Sequence, residues 1–221
     1  MEYLNEIAVN LLVENGSKSL PVDMLEISSK SHEWLTKSYL EAALIIQELK
    51  LEDYAKNHKG FSLKEADNDY MILYSDELSF TERNFVIAHE IAHIILGHST
   101  VGYIVGKAKN EATESIQEAE ADAFASYLLA PASILLKAGI LSSNSIRAAT
   151  AISDNYLLGK ADEIAHLRET NLSPAENRLC KQFKSYILRQ RLQKYRKYGF
   201  SLIVCAALGW SQSSSWDCIA P

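Results

Sequence analysis

The stretch FVIAHEIAHIILGH, residues 85–98, sets two histidines four apart with a glutamate directly after the first. Apolar residues surround these polar positions nearly all round, the pattern of a helix that is to be buried. Four residues advance a helix by about 40° beyond a full turn, so His89 and His93 project side by side from one face. Glu90 stands on the neighbouring edge. Three such groups buried without partners would cost several kcal/mol, so the segment carries a chemical obligation that the rest of the chain must meet.

Polar decoration of an apolar helix is one reading, and a shared metal ion is the other. One Zn2+ bound through a nitrogen of each imidazole removes the desolvation problem at once. Glu90 is too displaced to join both histidines as a ligand, but it is placed to reach a water on the ion, which makes His-Glu-x-x-His the metallopeptidase arrangement. The third ligand has to come from elsewhere. A metzincin would need glycine seven and histidine ten residues after the first histidine, and those positions are Leu96 and Ser99. His98 follows the helix-ending Gly97 and is expected to point elsewhere. A second helix, QEAEADAFASYLLAP at 117–131, offers carboxylates. Glu118 and Asp122 are four apart and share a face. Asp122, set among alanines and Phe124, makes sense as the acceptor for the far ring nitrogen of a ligating histidine. Glu118 then completes a His2Glu centre with an open fourth position. Glu120, about 200° round from Glu118, is expected to face solvent. The competing reading of this segment is a surface helix with acidic decoration.

Working outward, Leu4, Ile7, Ala8, Leu11 and Leu12 predict an opening helix that stops at Glu14-Asn15-Gly16. Pro21 fits the first turn of a second helix, and SYLEAALIIQELKLEDYA, 38–55, reads as one further helix. Tyr70–Tyr74 is the expected strand. The His-Glu-x-x-His helix starts at Ser79, with Glu82 at capping-box spacing, or at Thr81, and ends at Gly97. The acidic helix runs from Glu111 to Ala130, and Pro131 begins another. Two short helices are expected around Ser153. Asp154, Asp162 and Glu163 argue against a DNA-recognition helix there. A long basic helix opens at Ser173 with Pro174 in its first turn. Its apolar stripe (Phe183, Ile187, Leu192, Tyr195) reads as a face packed on the core rather than a docking surface.

The bulk numbers narrow the function classes. A chain of 221 residues with net charge −6 is not a general polyanion binder, and no direct nucleic-acid contact is expected. Cys180, Cys205 and Cys218 form no CxxC pair and read as reduced thiols. The acidic N-terminus has no signal-peptide n-region, and the longest apolar run, FSLIVCAALGW, falls short of the about 20 residues a bilayer demands. The expectation is a cytoplasmic protein without a membrane partner.

Together, FVIAHEIAHIILGH and the later EAEADAFASYLLAP resemble the ImmA/IrrE metallo-endopeptidases. Their pattern is a His-Glu-x-x-His helix followed by Glu-x-x-Ala-Asn/Asp-x-Phe-Ala and Leu-Leu-x-Pro. The likeness covers residues 66–132, with Ala130 where methionine is common. It implies an α+β, mostly helical fold: a minimal gluzincin-like, zincin-type core with a small β-sheet. It also implies zinc on His89, His93 and Glu118, Glu90 as catalytic base, and helix-turn-helix transcriptional repressors as substrates. The expected organisation is a peptidase core at 1–132, a helical extension at 133–198, and an apolar segment with a flexible tail at 199–221. Tyr103, His98 and His166 are candidate donors to the oxyanion, and the strand at Met71–Tyr74 is the candidate edge for pairing with substrate. The alternative is a non-enzymatic regulator with a structural zinc that inactivates its partner by binding.

Overall fold

The structure is a computed structural model and describes residues 2–66, 69–150, 152, 156–157 and 159–207. Strand β3 (Asp69–Tyr74) is its organising element. Its side chains alternate between faces, as the pleat requires. Met71 and Leu73 point into one apolar cluster with Ala42, Ile46, Phe61 and Leu63, while Ile72 joins the main core on the other side. β3 lies inside a mixed five-stranded sheet of order β1-β3-β2-β5-β4. β1 (Trp34–Ser38) runs parallel to it, and β2 (Gly60–Ala66) antiparallel. β4 (Thr100–Val101) and β5 (Ile104–Val105) form a short antiparallel pair beyond β2.

Helix α5 (Phe80–Ile95) covers the core face of this sheet. Its start is Ser79: the hydroxyl accepts from the Glu82 N–H, and the Glu82 carboxylate accepts from the Ser79 N–H, a complete capping box. Gly97, at φ 65°, follows its end. α6 (Glu111–Leu129) packs against α5. Ala88 and Ala92 on α5 and Ala121 and Ala125 on α6 are all fully buried, and such small side chains permit a close helix approach. α1 (Glu2–Glu14) lies against α6 and α10 (Pro174–Gln182). α7 (Ala132–Ala138), α8 (Ser143–Thr150) and α9 (Lys160–Glu169) complete the helical side. One apolar core runs continuously from Ala8 to Tyr186. The fold is α+β and mostly helical. The α6–α7 stretch Glu111–Ala138 is the one described segment long and apolar enough to cross a membrane, and 72% of its apolar window is buried within the protein.

Several local expectations are corrected. Pro21 lies ahead of the second helix, α2 (Met24–Ser28), which Asp23 caps. The buried Asn84 of α5 ties α2 down, accepting from the Met24 N–H and donating to the Val22 carbonyl. The apolar run 38–55 is not one helix. α3 (Ala43–Glu48) and α4 (Glu52–Asn57) are separated at Lys50, whose φ of 55° ends the first. The long basic helix is likewise divided at the buried Phe183, into α10 and α11 (Lys184–Ala207). Leu192 is exposed rather than packed. Ser153, Asp154 and the tail beyond Ala207 lie outside the described residues, as does the side chain of Tyr195.

Gly60 shows how tightly β2 is held under α5. A methyl group there would lie 2.2 Å from Val86 Cγ1 and 2.9 Å from the Leu73 carbonyl oxygen. Gly60→Ala is therefore expected to cost about 1–3 kcal/mol through overpacking, read as a lower denaturant midpoint. Adding Val86→Ala should recover only part of the loss, because the backbone contact remains.

Candidate metal centre

Helices α5 and α6 bring His89, His93 and Glu118 together, with one donor atom from each within 4.8 Å of the others. The Nε2 atoms of His89 and His93 are 2.9 Å apart. Glu118 spans both, with Oε2 3.3 Å from His89 Nε2 and Oε1 3.6 Å from His93 Nε2. Behind His89, its Nδ1–H donates to Asp122 Oδ1 at 2.9 Å. Asp122 is one turn along α6 from Glu118, so one helix face supplies both carboxylates.

This donor set suits a divalent metal. With the His89 proton committed to Asp122, its Nε2 presents a lone pair toward the second Nε2 and a carboxylate. Electron pairs converging from three directions require a cation among them. Two imidazoles and a carboxylate are ordinary zinc ligands, within reach of a single ion. Where only protons serve as cations, they divide unevenly. Burial works against charge on His89, but the Asp122 and Glu118 carboxylates outweigh it and raise its pKa to about 10. Burial and the His89 charge hold His93 down, to about 3. Hydrogen bonding to His89 lowers the Glu118 carboxyl against the opposing effect of its partial burial.

Glu90 is buried, and one oxygen accepts from the Ser62 hydroxyl at 2.8 Å. Ser62 lies between Phe61 and Leu63, which face the opposite side of the sheet, so the pleat turns it toward α5. Burial raises the Glu90 pKa, opposed by His89 and by Ser62. Glu90 and His89 line a cleft of about 470 Å3, along with Gly60, Phe85, Asp122 and Tyr156. The Tyr156 ring stacks on Phe85 at 4.2 Å, and its hydroxyl donates to Asp122 Oδ2 at 3.3 Å. Both Asp122 oxygens are thereby engaged, one by His89 and one by Tyr156.

Ser62 and Tyr156 escape sequence reasoning. Ser62 has no motif around it, and Tyr156 lies 34 residues beyond Asp122, so only the tertiary fold joins them. Three other expectations change. Glu120 does not simply face solvent, because its Oε2 lies 3.4 Å from His98 Nε2. His98 sits behind His93, Tyr103 is 57% exposed at the β4–β5 turn, and His166 lines a separate cavity with Glu2 and Glu6. None of these three lines the cleft at His89 and Glu90. Nor is β3 an edge, since β1 and β2 flank it. The strand open beside the cleft is β2, whose pairing with β5 is at Leu63↔Ile104 alone.

Gly106, at φ 84°, packs against the Nδ1 side of the His93 ring. A methyl group there would lie 2.6 Å from His93 Nδ1 and 2.7 Å from Cε1. Gly106→Ala is expected to displace this imidazole and destabilise the fold by about 1–3 kcal/mol. Thermal unfolding reads the loss at roughly 2–4 °C per kcal/mol, and the affinity of the cluster for a divalent metal should fall with it.

Residues 42–148 match the IrrE N-terminal-like domain of peptidase family M78. No curated protein and no solved structure matches the chain. The matched span reaches from α3 into α8 and contains the whole His89, His93 and Glu118 cluster. Residues 42–148 thus form a domain of metallopeptidase type that matches the IrrE N-terminal-like model, as the resemblance to the ImmA/IrrE peptidases implies.

Proposed function

We propose that this protein is a zinc-dependent endopeptidase that cuts a helix-turn-helix transcriptional repressor and so relieves repression. The observation that carries the reading is the convergence of three metal-ligating side chains beside a buried glutamate, all next to an open cleft. The choice of repressor as substrate is supported by the family resemblance. The partner is a protein, with no direct nucleic-acid or membrane contact, and the setting is cytoplasmic.

His89, His93 and Glu118 would hold the zinc. Bound there, zinc would supply a water of lowered pKa and polarise the scissile carbonyl. Glu90 accepts the proton of the attacking water and returns it to the leaving amine. Ser62 holds one Glu90 oxygen and leaves the other for the proton. Asp122 keeps the His89 ring in place. An extended peptide pairs with the free side of β2 around Gly60. Tyr156 stands on the cleft wall, where its hydroxyl oxygen can accept from a substrate backbone N–H while its proton stays on Asp122.

A structural zinc in a non-enzymatic regulator would be enclosed by four protein ligands and would have no use for Glu90. The cluster holds three such side chains among the described residues. Incubation of the purified protein with helix-turn-helix repressors from the same genome is the test. Two fragments should form, a chelator should stop their formation, and added zinc should restore it. Stoichiometric loss of repression with an intact repressor on the gel would overturn the proposal in favour of the regulator.

A further inference from the structure

Both ring nitrogens of His93 meet other ring nitrogens. Nε2 faces His89, and Nδ1 lies 2.8 Å from Nδ1 of His98. His98 is itself buried. Its remaining nitrogen, Nε2, has no well-formed hydrogen bond and finds the Glu120 carboxylate at 3.4 Å. Glu120 in turn accepts from the Tyr3 hydroxyl at 2.8 Å. The chain of groups thus leads from α5 through the turn after it to α6 and α1.

One placement of protons satisfies every link from His93 Nδ1 outward. Two facing imidazole nitrogens need one N–H and one lone pair between them, and a carboxylate can only accept. His98 therefore presents Nε2–H to Glu120 and, being neutral, keeps a bare Nδ1. That bare nitrogen accepts from His93, whose own proton then sits on Nδ1. The lone pair of His93 Nε2 is left directed toward His89 and Glu118.

We propose that His98 and Glu120, steadied by Tyr3, are positioning residues that fix His93 in the tautomer and ring orientation required to donate Nε2 to a divalent metal ion. The proposal rests on the metal centre described above and adds what holds its deeper ligand. His89 obtains the same service from Asp122, and His98 is the partner of His93 Nδ1 among the described residues. Gly106 supports the role from another direction by pressing its backbone against the His93 ring.

Zinc affinity measured by competition with a chromophoric chelator tests this without reference to catalysis. His98→Phe keeps a ring of similar size but removes the acceptor, and should weaken zinc binding roughly 10–100-fold. His98→Asn places an amide oxygen near the lost Nδ1 and should restore most of the affinity. Nitrogen-15 correlation spectra of the wild-type protein should show His98 protonated at Nε2 and bare at Nδ1. Wild-type affinity in His98→Phe, equal losses in both variants, or a proton on His98 Nδ1 would each overturn the proposal. Should His98→Phe fail to fold, the spectra decide it. A wild-type chain with no measurable zinc affinity would remove the metal centre itself, and this proposal with it.

Discussion

Glu90→Gln is expected to abolish peptide hydrolysis while leaving zinc binding unchanged. Glutamine has the same shape and can still accept from the Ser62 hydroxyl, so the α5–β2 contact survives. What disappears is the ability to take up a proton from water and release it to the amine. General acid–base participation of this kind contributes about 10²–10⁴ in rate. Initial rates of fragment formation, set against zinc affinity by chelator competition, separate chemistry from binding. A variant that still cut within roughly tenfold of wild type would mean that another group carries the proton. Because Glu90 is buried and burial raises its pKa, a neutral amide should leave the fold equally stable or slightly more so. Stability gained as activity is lost marks a group held in place for chemistry.

The second large effect is structural. Phe124 is fully buried in α6, two residues beyond Asp122, in the core shared by α1 and α5. Phe124→Ala should cost about 3–5 kcal/mol from lost burial and the cavity left behind. That is a large share of the about 5–15 kcal/mol by which domains are stable. The expected fall in thermal midpoint is roughly 2–4 °C per kcal/mol. Leu44, 80% exposed on α3, is the control, and its replacement by alanine should stay within about 0.5 kcal/mol. Similar small effects at both positions would contradict the packing of α6 between α1 and α5.

The sequence was most legible where local chemistry and helical period coincide. Ser79, Glu82 and Gly97 bound α5, and spacing alone sets His89 beside His93 and Glu118 beside Asp122. It was least legible where long-range contacts decide. Lys50 has no preference for the left-handed turn that breaks the 38–55 run, so nothing local announces the end of α3. WLTKS in β1 and the two-residue strands β4 and β5 are too short to show a period of two. In β2, buried Phe61 and Leu63 are interleaved with a serine that is also buried, which hides the alternation. The contact between His98 and Glu120 is hidden for a similar reason: spacing places each residue on its own segment, whereas their approach is set by the meeting of the turn after α5 with α6.

The centre is also lopsided. The His93 side chain is 3% exposed and that of His89 16%, while the Glu118 side chain is 46% exposed. An ion held there would sit on a deep, nearly immovable floor of imidazole under a rim carboxylate free to swing. Strength of capture would then be governed by the floor, and the speed of loading and loss by the rim. Shortening Glu118 to aspartate should accordingly alter exchange kinetics more than replacements beneath the site do, a distinction that stopped-flow metal transfer can draw.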